Sequence, residues 1–185
     1  TGQACLMDRS HIYKEMRDIV GDSLYYDEEK GVSEAFGSVV LLDVENHCML
    51  TVHYCRYEDE HGVALATDSA VFHEFAESDT LYVHADTLKM ITYNAQTDSV
   101  YRDLFAYHKV RMFRTDIQGV CDSLVTHERD SCTYMFGQPI LWNDVQQVFG
   151  EEIRVYNNDS TIDWIHVVNQ AMTIEQVDSV SYNQV

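Results

Sequence analysis

Apolar and polar residues alternate along most of this 185-residue chain, and polar turns interrupt the alternation at short intervals. Segments 49–57, 103–114 and 145–156 are rich in aliphatic, aromatic and β-branched residues, while Asp, Asn and Gly fill the gaps between such segments. A period of two is typical of strands that bury one face. Connections of two to six residues suit antiparallel pairs. The pattern predicts an all-β chain built from repeated hairpin units.

A short motif recurs in this alternation: a small residue, Asp, Ser or Thr, and an apolar residue. Its copies are Gly21–Leu24, Thr67–Ala70, Ala85–Leu88 and Cys121–Leu124, with a degenerate copy at Gly150–Ile153. The copies recur at about 30 to 36 residues or a multiple of that step, except that the Thr67 copy falls out of step. Such a period predicts a repeat architecture in which one hairpin stacks on the next. We interpret the Asp-Ser pair as a structural device where a strand begins or bends.

The first 20 residues allow two interpretations. Their apolar residues between Leu6 and Ile19 could form one face of a short helix. Alternatively, a turn near residues 13–15 would divide them into two strands, which we favour because the first motif copy needs a partner strand. We therefore predict an N-terminal strand segment over residues 1–20.

No change of composition marks a domain boundary in the rest of the chain. We predict a single elongated β domain over residues 21–177. Residues 178–185 are predicted to form a C-terminal tail that frays.

The net charge of −19 comes from 31 acidic and 12 basic residues. A polyanion would be repelled, and there is no basic stripe to overcome the repulsion, so nucleic acid is not an expected partner. Because the acidic residues are spread along the chain, a solvated outer face is the simplest explanation. No apolar run approaches the length that spans a bilayer, so we predict no membrane span.

The five cysteines show no C-x-x-C spacing. Cys48 and Cys55 are predicted on one strand, where seven residues separate them by about 23 Å, too far for a disulfide. Mostly free thiols argue weakly against an oxidising compartment. His53 and Cys55 form a single closely spaced ligand pair, whereas structural zinc sites bring pairs from two elements. We predict no metal site and no cofactor.

Sequence signals for catalysis are weak. There is no G-x-S-x-G elbow, P-loop or G-x-G-x-x-G, and a catalytic Asp-Ser dyad would not recur four times along a chain. We therefore predict that the protein is not an enzyme.

Pairs of apolar residues two positions apart recur in step with the motif, and at a period of two the members of a pair share one strand face. One interpretation is a packed core; the other is a roll whose interior stays partly open for a long apolar ligand. On the second interpretation the candidate lipid-binding residues are Leu24, Tyr26, Val39, Leu41, Leu88, Met90, Val110, Met112, Leu124, Ile153 and Val155.

The motifs resemble those of the OstA-like family, the LptA group of lipopolysaccharide-transport proteins in Gram-negative bacteria. The family pattern is A/G-D-S/T-L-x-Y followed after a turn by A-x-G-x-V-x-L. The matching stretches are Gly21–Asp27, Ala35–Val39, Asp79–Leu88, Cys121–Leu124 and Pro139–Trp142, within a region from about Gly21 to about Ala171.

The resemblance implies an open antiparallel β-jelly roll in the periplasm. It also implies an apolar groove that shields the acyl chains of lipid A, and end-to-end association with other transport proteins or further copies through terminal strands. The chain departs from the family pattern in its unpaired cysteines, its strong negative charge and its irregular Asp68 unit. The charge matters because the lipid head group of lipopolysaccharide is itself phosphorylated.

Two rival functions stay open. The first is a β-roll interaction or scaffold module that binds a protein or glycan partner through Tyr-rich surface strands. The second, an enzyme of the cell envelope, would require a clustered His-carboxylate site in a cleft.

Overall fold

The computed structural model describes residues 2–14, 16–75, 79–94, 97–143, 146–158 and 161–185. These residues form an all-β fold, with antiparallel strands in one sheet that does not close into a barrel. This confirms the predicted fold class, an open antiparallel β-jelly roll. The strands are β1 (Gln3–Lys14), β2 (Arg17–Asp27), β3 (Val32–Asp43), β4 (Cys48–Glu58), β5 (Val63–Phe75), β6 (Thr80–Tyr93), β7 (Tyr101–Arg114), β8 (Ile117–His127), β9 (Cys132–Phe136), β10 (Ile140–Asn143), β11 (Gln146–Phe149), β12 (Glu152–Asn158), β13 (Thr161–Val168), β14 (Met172–Gln176) and β15 (Tyr182–Gln184).

The N-terminal segment consists of strands, as favoured from the sequence, because β1 pairs with β2 along its length. The turn predicted at residues 13–15 includes Glu15, which lies outside the described residues. Part of the C-terminal tail is also paired, since β15 bonds to β14. The expectation of a fully frayed tail was therefore wrong for Tyr182–Gln184. The predicted domain division at residues 20 and 177 stays a prediction.

The first eight strands form a meander in which each strand pairs with the next. After β8 the strands are shorter and the sheet branches. β9 and then β12 pair onto the C-terminal half of β8, whereas β10 and then β11 pair onto its N-terminal half. Segment 145–156, predicted as one strand, is therefore two strands in different ladders. Residue 145 itself lies outside the described residues.

A line of irregularities runs across the meander and bends every strand near its middle. The register shifts between each consecutive pair from β1 to β8. At these shifts each odd-numbered strand of the meander contains two consecutive residues with positive φ: Asp8–Arg9, Gly37–Ser38, Asp68–Ser69 and His108–Lys109. Two more such pairs, Gly137–Gln138 and Asn169–Gln170, lie between β9 and β10 and between β13 and β14. Extra residues of this kind bend a strand and increase its twist. We call this feature the bend line.

The Asp-Ser motif marks the bend line, which accounts for its recurrence. Asp22, Asp86 and Asp122 lie at the shifts in even-numbered strands. The Asp68 copy, out of step in the sequence, lies in the odd-numbered β5, where Asp68 and Ser69 themselves adopt positive φ. The motif thus has two structural roles: in β2, β6 and β8 it lies opposite a bulge, and in β5 it forms the bulge.

The bend folds the strands into two layers with the core between them. The buried residues are mostly aliphatic or small, including five alanines at 35, 66, 70, 85 and 106. Small and large side chains alternate across neighbouring strands, because Ala35 stands opposite Leu24, Ala66 opposite Leu88 and Ala106 opposite Leu124. The small alanine side chains leave room for the leucines in a closely packed core.

Candidate lipid-binding interior

The apolar residues of the motif-bearing strands meet in the interior between the two layers. Seven of the predicted groove residues belong to its buried core: Leu24, Val39, Leu88, Val110, Leu124, Ile153 and Val155. Each has at most 4% of its surface exposed. This part of the interior is packed by the protein's own side chains.

The other four predicted groove residues lie further from the packed centre. Met112 is partly buried against the core, and Leu41 and Met90 are also half-buried. Tyr26 is 39% exposed. Alternation along a strand gives the face of a residue but not its depth, so the sequence could not separate these positions from the packed ones.

Further apolar residues, which sequence reasoning missed, line the rim of the interior. Ile19, Leu50, Phe72, Leu81, Ile162, Ile165 and Val167 pack against the core while staying partly exposed. The signal that could have found them is the same period of two, followed to the far ends of the motif-bearing strands, as for Ile19, Phe72 and Leu81, and into strands without the motif.

A cleft of about 50 Å³ opens between the layers at this rim. Leu81, Met112 and Ile117 line it from one layer, and Val155 and Ile162 line it from the other. The polar residues Arg114, Thr133 and Asn157 complete its lining. The cleft has room for a few water molecules, so a longer ligand would have to separate the layers here.

A second concavity lies on the outside of the fold, where the bend line crosses β3 to β5. It is shallow, measures about 290 Å³ and is lined mainly by Arg9, Val40, Thr51 and His53. The Arg9 guanidinium donates to Asp22 Oδ1 (3.1 Å) and to the Ser38 carbonyl oxygen (2.8 Å). These exposed contacts tie the bulge of β1 to its neighbours and contribute little stability each.

Three of the thiols are unreactive because they are buried or half-buried. Burial raises the pKa of Cys48 and of Cys55 to about 11 and that of Cys121 to about 12. Since the thiolate is the nucleophile and the metal ligand, these groups stay protonated and unreactive near neutral pH. All five cysteines are unpaired, as the sequence indicated. Among the described residues, no group of three or more His, Cys, Asp and Glu side chains could hold a metal ion.

Within the described residues three strands have one open edge: β1 pairs only with β2, β13 only with β12, and the short β15 only with β14. Apolar side chains are exposed on β1 and β13, including Leu6 (42%), Met7 (68%) and Trp164 (48%). The Trp164 ring stacks on Tyr156 with centroids 3.9 Å apart and planes 5° from parallel. One face of the Trp164 ring is thus covered by Tyr156 of β12, and the His166 ring lies next to it on β13 with centroids 5.9 Å apart.

No described helix is long and apolar enough to cross a membrane.

Comparison with known proteins yields little sequence evidence. No family model matches the chain, and no curated protein matches it. Among solved structures, the chain is similar to LptH of Pseudomonas aeruginosa, described as the LptA-homologous periplasmic component of its lipopolysaccharide transport device. The alignment covers 91% of this chain and 93% of that one, with 11% identity and a TM-score of 0.33. A similarity of that size carries no argument about this chain.

Proposed function

We propose that this chain is a non-catalytic lipid carrier of the periplasm. It binds lipopolysaccharide by holding lipid A acyl chains in its apolar interior, for transport to the outer membrane. The observation that supports the carrier function is the two-layer interior, which is apolar on both walls and partly open at its rim. The choice of lipid and compartment rests on the resemblance of the repeated Asp-Ser motifs to the OstA-like family.

The deep residues and the rim residues of the interior have different roles. The packed residues near the bend hold the two layers together, since their burial against one another stabilises the fold. The half-buried residues towards the rim, such as Leu41, Met90 and Met112, are the ones that a lipid chain would cover. Covering them removes apolar surface from water, which is the driving force for binding.

The proposed partners are other lipopolysaccharide-transport proteins and further copies of this chain, which would pair through the open edges of β1 and β13. An open edge is a template for strand addition. The inward side chains Leu6 on β1 and Ile165 on β13 would continue the apolar interior from one unit into the next.

The experiment compares two neighbouring residues of β6 that face opposite sides of the sheet. Leu81 lines the rim cleft, while Tyr82 is 40% exposed and contacts His73 and Phe113 on the outer face. Leu81→Glu is expected to weaken lipopolysaccharide binding about tenfold or more, because a charge in the cleft opposes acyl burial. Tyr82→Glu adds the same charge outside and should change affinity little.

Binding is measured by native mass spectrometry with purified lipopolysaccharide, and folding of both variants by circular dichroism. Rim positions are preferable to Leu88 or Val110, where a charge would unfold the core. Equal loss of affinity in the two folded variants would contradict the carrier function, as would an adduct that disappears at high salt.

A second candidate function, an interaction module for a protein or glycan, is favoured by the outer aromatic surface. Rings on adjacent strands contact one another at His127 and Tyr134 (5.6 Å) and at Tyr156 and Trp164 (3.9 Å). Exposed aromatic rings are enriched at interfaces. This function predicts that Trp164→Ala abolishes partner binding while Leu81→Glu leaves it unchanged.

A further inference from the structure

Arg114 is an unusual residue to find at the rim of an apolar cleft. Its side chain is only 20% exposed, and the neighbouring cleft wall consists of Leu81, Met112 and Ile117. Burying a guanidinium beside aliphatic side chains is costly unless its N–H groups are satisfied. Its position therefore calls for partners.

Asp116 is one partner, and it fixes the guanidinium in place. Arg114 Nε donates to Asp116 Oδ1 (2.5 Å) and Nη2 donates to Asp116 Oδ2 (2.9 Å). This two-pronged contact is the geometry that orients an arginine most firmly. A guanidinium has five N–H donors, so three remain that can donate to an acceptor brought by a ligand.

The surroundings of Arg114 are acidic, which restricts what that acceptor can be. Asp116, Asp79 and Glu74 all act electrostatically on Arg114, and Asp79 is held nearby by the Thr115 backbone N–H (2.9 Å). Three carboxylates outweigh one guanidinium, in a chain whose net charge is −19. A phosphate or carboxylate head group at this rim would be repelled, whereas an uncharged carbonyl oxygen would not.

We propose that Arg114 recognises the ester or amide carbonyl by which an acyl chain is joined to its head group. The hydrocarbon lies in the cleft between Met112 and Ile162, and any anionic part of the head group stays away from the rim. Lipids with uncharged or zwitterionic groups next to the acyl link are therefore preferred over anionic ones. The inference rests on the proposed carrier function and specifies the chemistry of its binding site.

The test uses four lipids with the same twelve-carbon chain, each below its micellar concentration. They are monolauroylglycerol, its ether analogue dodecylglycerol, lauroyl-lysophosphatidylcholine and lauroyl-lysophosphatidic acid. The ester is expected to bind about tenfold more tightly than the ether, since a hydrogen bond from a charged donor is lost in the ether. The zwitterionic lipid should bind more tightly than the anionic one, and added salt should narrow that difference by screening the repulsion.

Three variants test whether the preferences for the ester and against the anionic lipid arise from the residues at the rim. Arg114→Gln should bind ester and ether alike while retaining affinity for the ether. Arg17→Gln is the matched control, because Arg17 also pairs with an aspartate, Asp43 (2.9 Å), but does not line the cleft; it should keep the ester preference. Asp116→Asn removes one carboxylate from the rim and should strengthen binding of the anionic lipid.

Isothermal titration calorimetry gives the dissociation constants. Equal affinity of the unchanged protein for ester and ether, an ester preference that survives Arg114→Gln, or tighter binding of the anionic lipid would each overturn this inference while leaving the carrier function standing. If none of the four lipids binds, native mass spectrometry with lipopolysaccharide separates the two proposals: a saturable adduct overturns this inference and leaves the carrier function standing, whereas the lack of an adduct overturns both.

Discussion

Gly37 shows at the scale of one residue how the motif makes the bend. It adopts φ +70°, and a Cβ at this position would stand 2.3 Å from Asp22 Oδ2 and 2.9 Å from Asp22 Cβ. Gly37→Ala therefore meets both left-handed backbone strain and a steric clash. We expect the variant to lower the free energy of unfolding by about 1–3 kcal/mol, measured by urea denaturation.

Two companion variants separate the two causes. Ser38 is exposed and adopts φ +46° with its native side chain, so Ser38→Ala should change stability by less than about 0.5 kcal/mol. Adding Asp22→Ala to Gly37→Ala should recover the part due to the clash with the carboxylate, and leave the close approach to the Cβ of residue 22 and the backbone strain. A stability of Gly37→Ala equal to that of the unchanged protein would show that the bend does not depend on this glycine.

The residue scale also shows what sequence could reveal about the site. Asp22 and Gly37 belong to a repeated pattern, so their structural role was predictable. Arg114 was missed, although it follows Val110 and Met112 at a period of two and therefore faces inward with them. In the sequence, an arginine at an inward position interrupts the apolar alternation and so argues against a strand face unless its partner is known. Asp116 is that partner, and the two side chains meet because of the geometry of the β7–β8 turn.

At the scale of elements, the open edge of β13 is the feature with a testable role. Within β12 the Asn157 N–H donates to the Ser131 carbonyl (2.9 Å), so the odd-numbered residues of β12 face β9 and the even-numbered ones face β13. Tyr156 and Trp164 then form a hydrogen-bonded pair, and the backbone N–H and C=O of the next residue, Ile165, point towards the open edge. An added strand would bond there, beside the exposed ring of Trp164.

Trp164→Lys is expected to abolish end-to-end association while leaving the monomer folded, because an edge lysine opposes strand addition. Trp142→Lys on β10 is the control, since β10 is paired on both sides by β8 and β11. Analytical ultracentrifugation over a range of protein concentrations measures the association. Oligomers that persist in Trp164→Lys would exclude the β13 edge as the contact.

Elements also mark where prediction from sequence reaches its limit. The long strands of the meander were predictable because alternation, turn residues and motif copies agree. Segment 145–156 was predicted as one strand, yet it breaks at Gly150, where a Cβ would stand 2.3 Å from Val167 Cγ1. That close approach is made by β13, which is distant in sequence, so local alternation carries no sign of it.

At the scale of the whole molecule, stability depends on how the acidic residues are distributed. With a net charge of −19, repulsion between exposed carboxylates opposes the folded state near neutral pH. A few carboxylates are exceptions, buried and bonded at strand ends. Asp43 is the best defined: only 7% of it is exposed, and its oxygens accept from the Asn46 backbone N–H (3.0 Å), the Asn46 side-chain amide (2.8 Å) and Arg17 Nε (2.9 Å).

Asp43 should therefore make the fold sensitive to acid. Burial alone would raise its pKa, but the hydrogen bonds from Asn46 and Arg17 outweigh burial, and the pKa lies below its usual value. A carboxylate whose pKa is lower in the folded than in the unfolded chain stabilises the fold at pH values above the unfolded pKa of about 3.9. That stabilisation is lost as the pH falls through the folded pKa.

Asp43→Asn tests this dependence. The variant is expected to be less stable than the unchanged protein at pH 7 and to lose less stability between pH 5 and pH 2, so that the two curves converge in acid. Asp98→Asn, at an exposed position, should follow the curve of the unchanged protein. Thermal unfolding by circular dichroism across this pH range provides the measurement, and parallel curves for Asp43→Asn and the unchanged protein would mean that the acid sensitivity arises at other carboxylates.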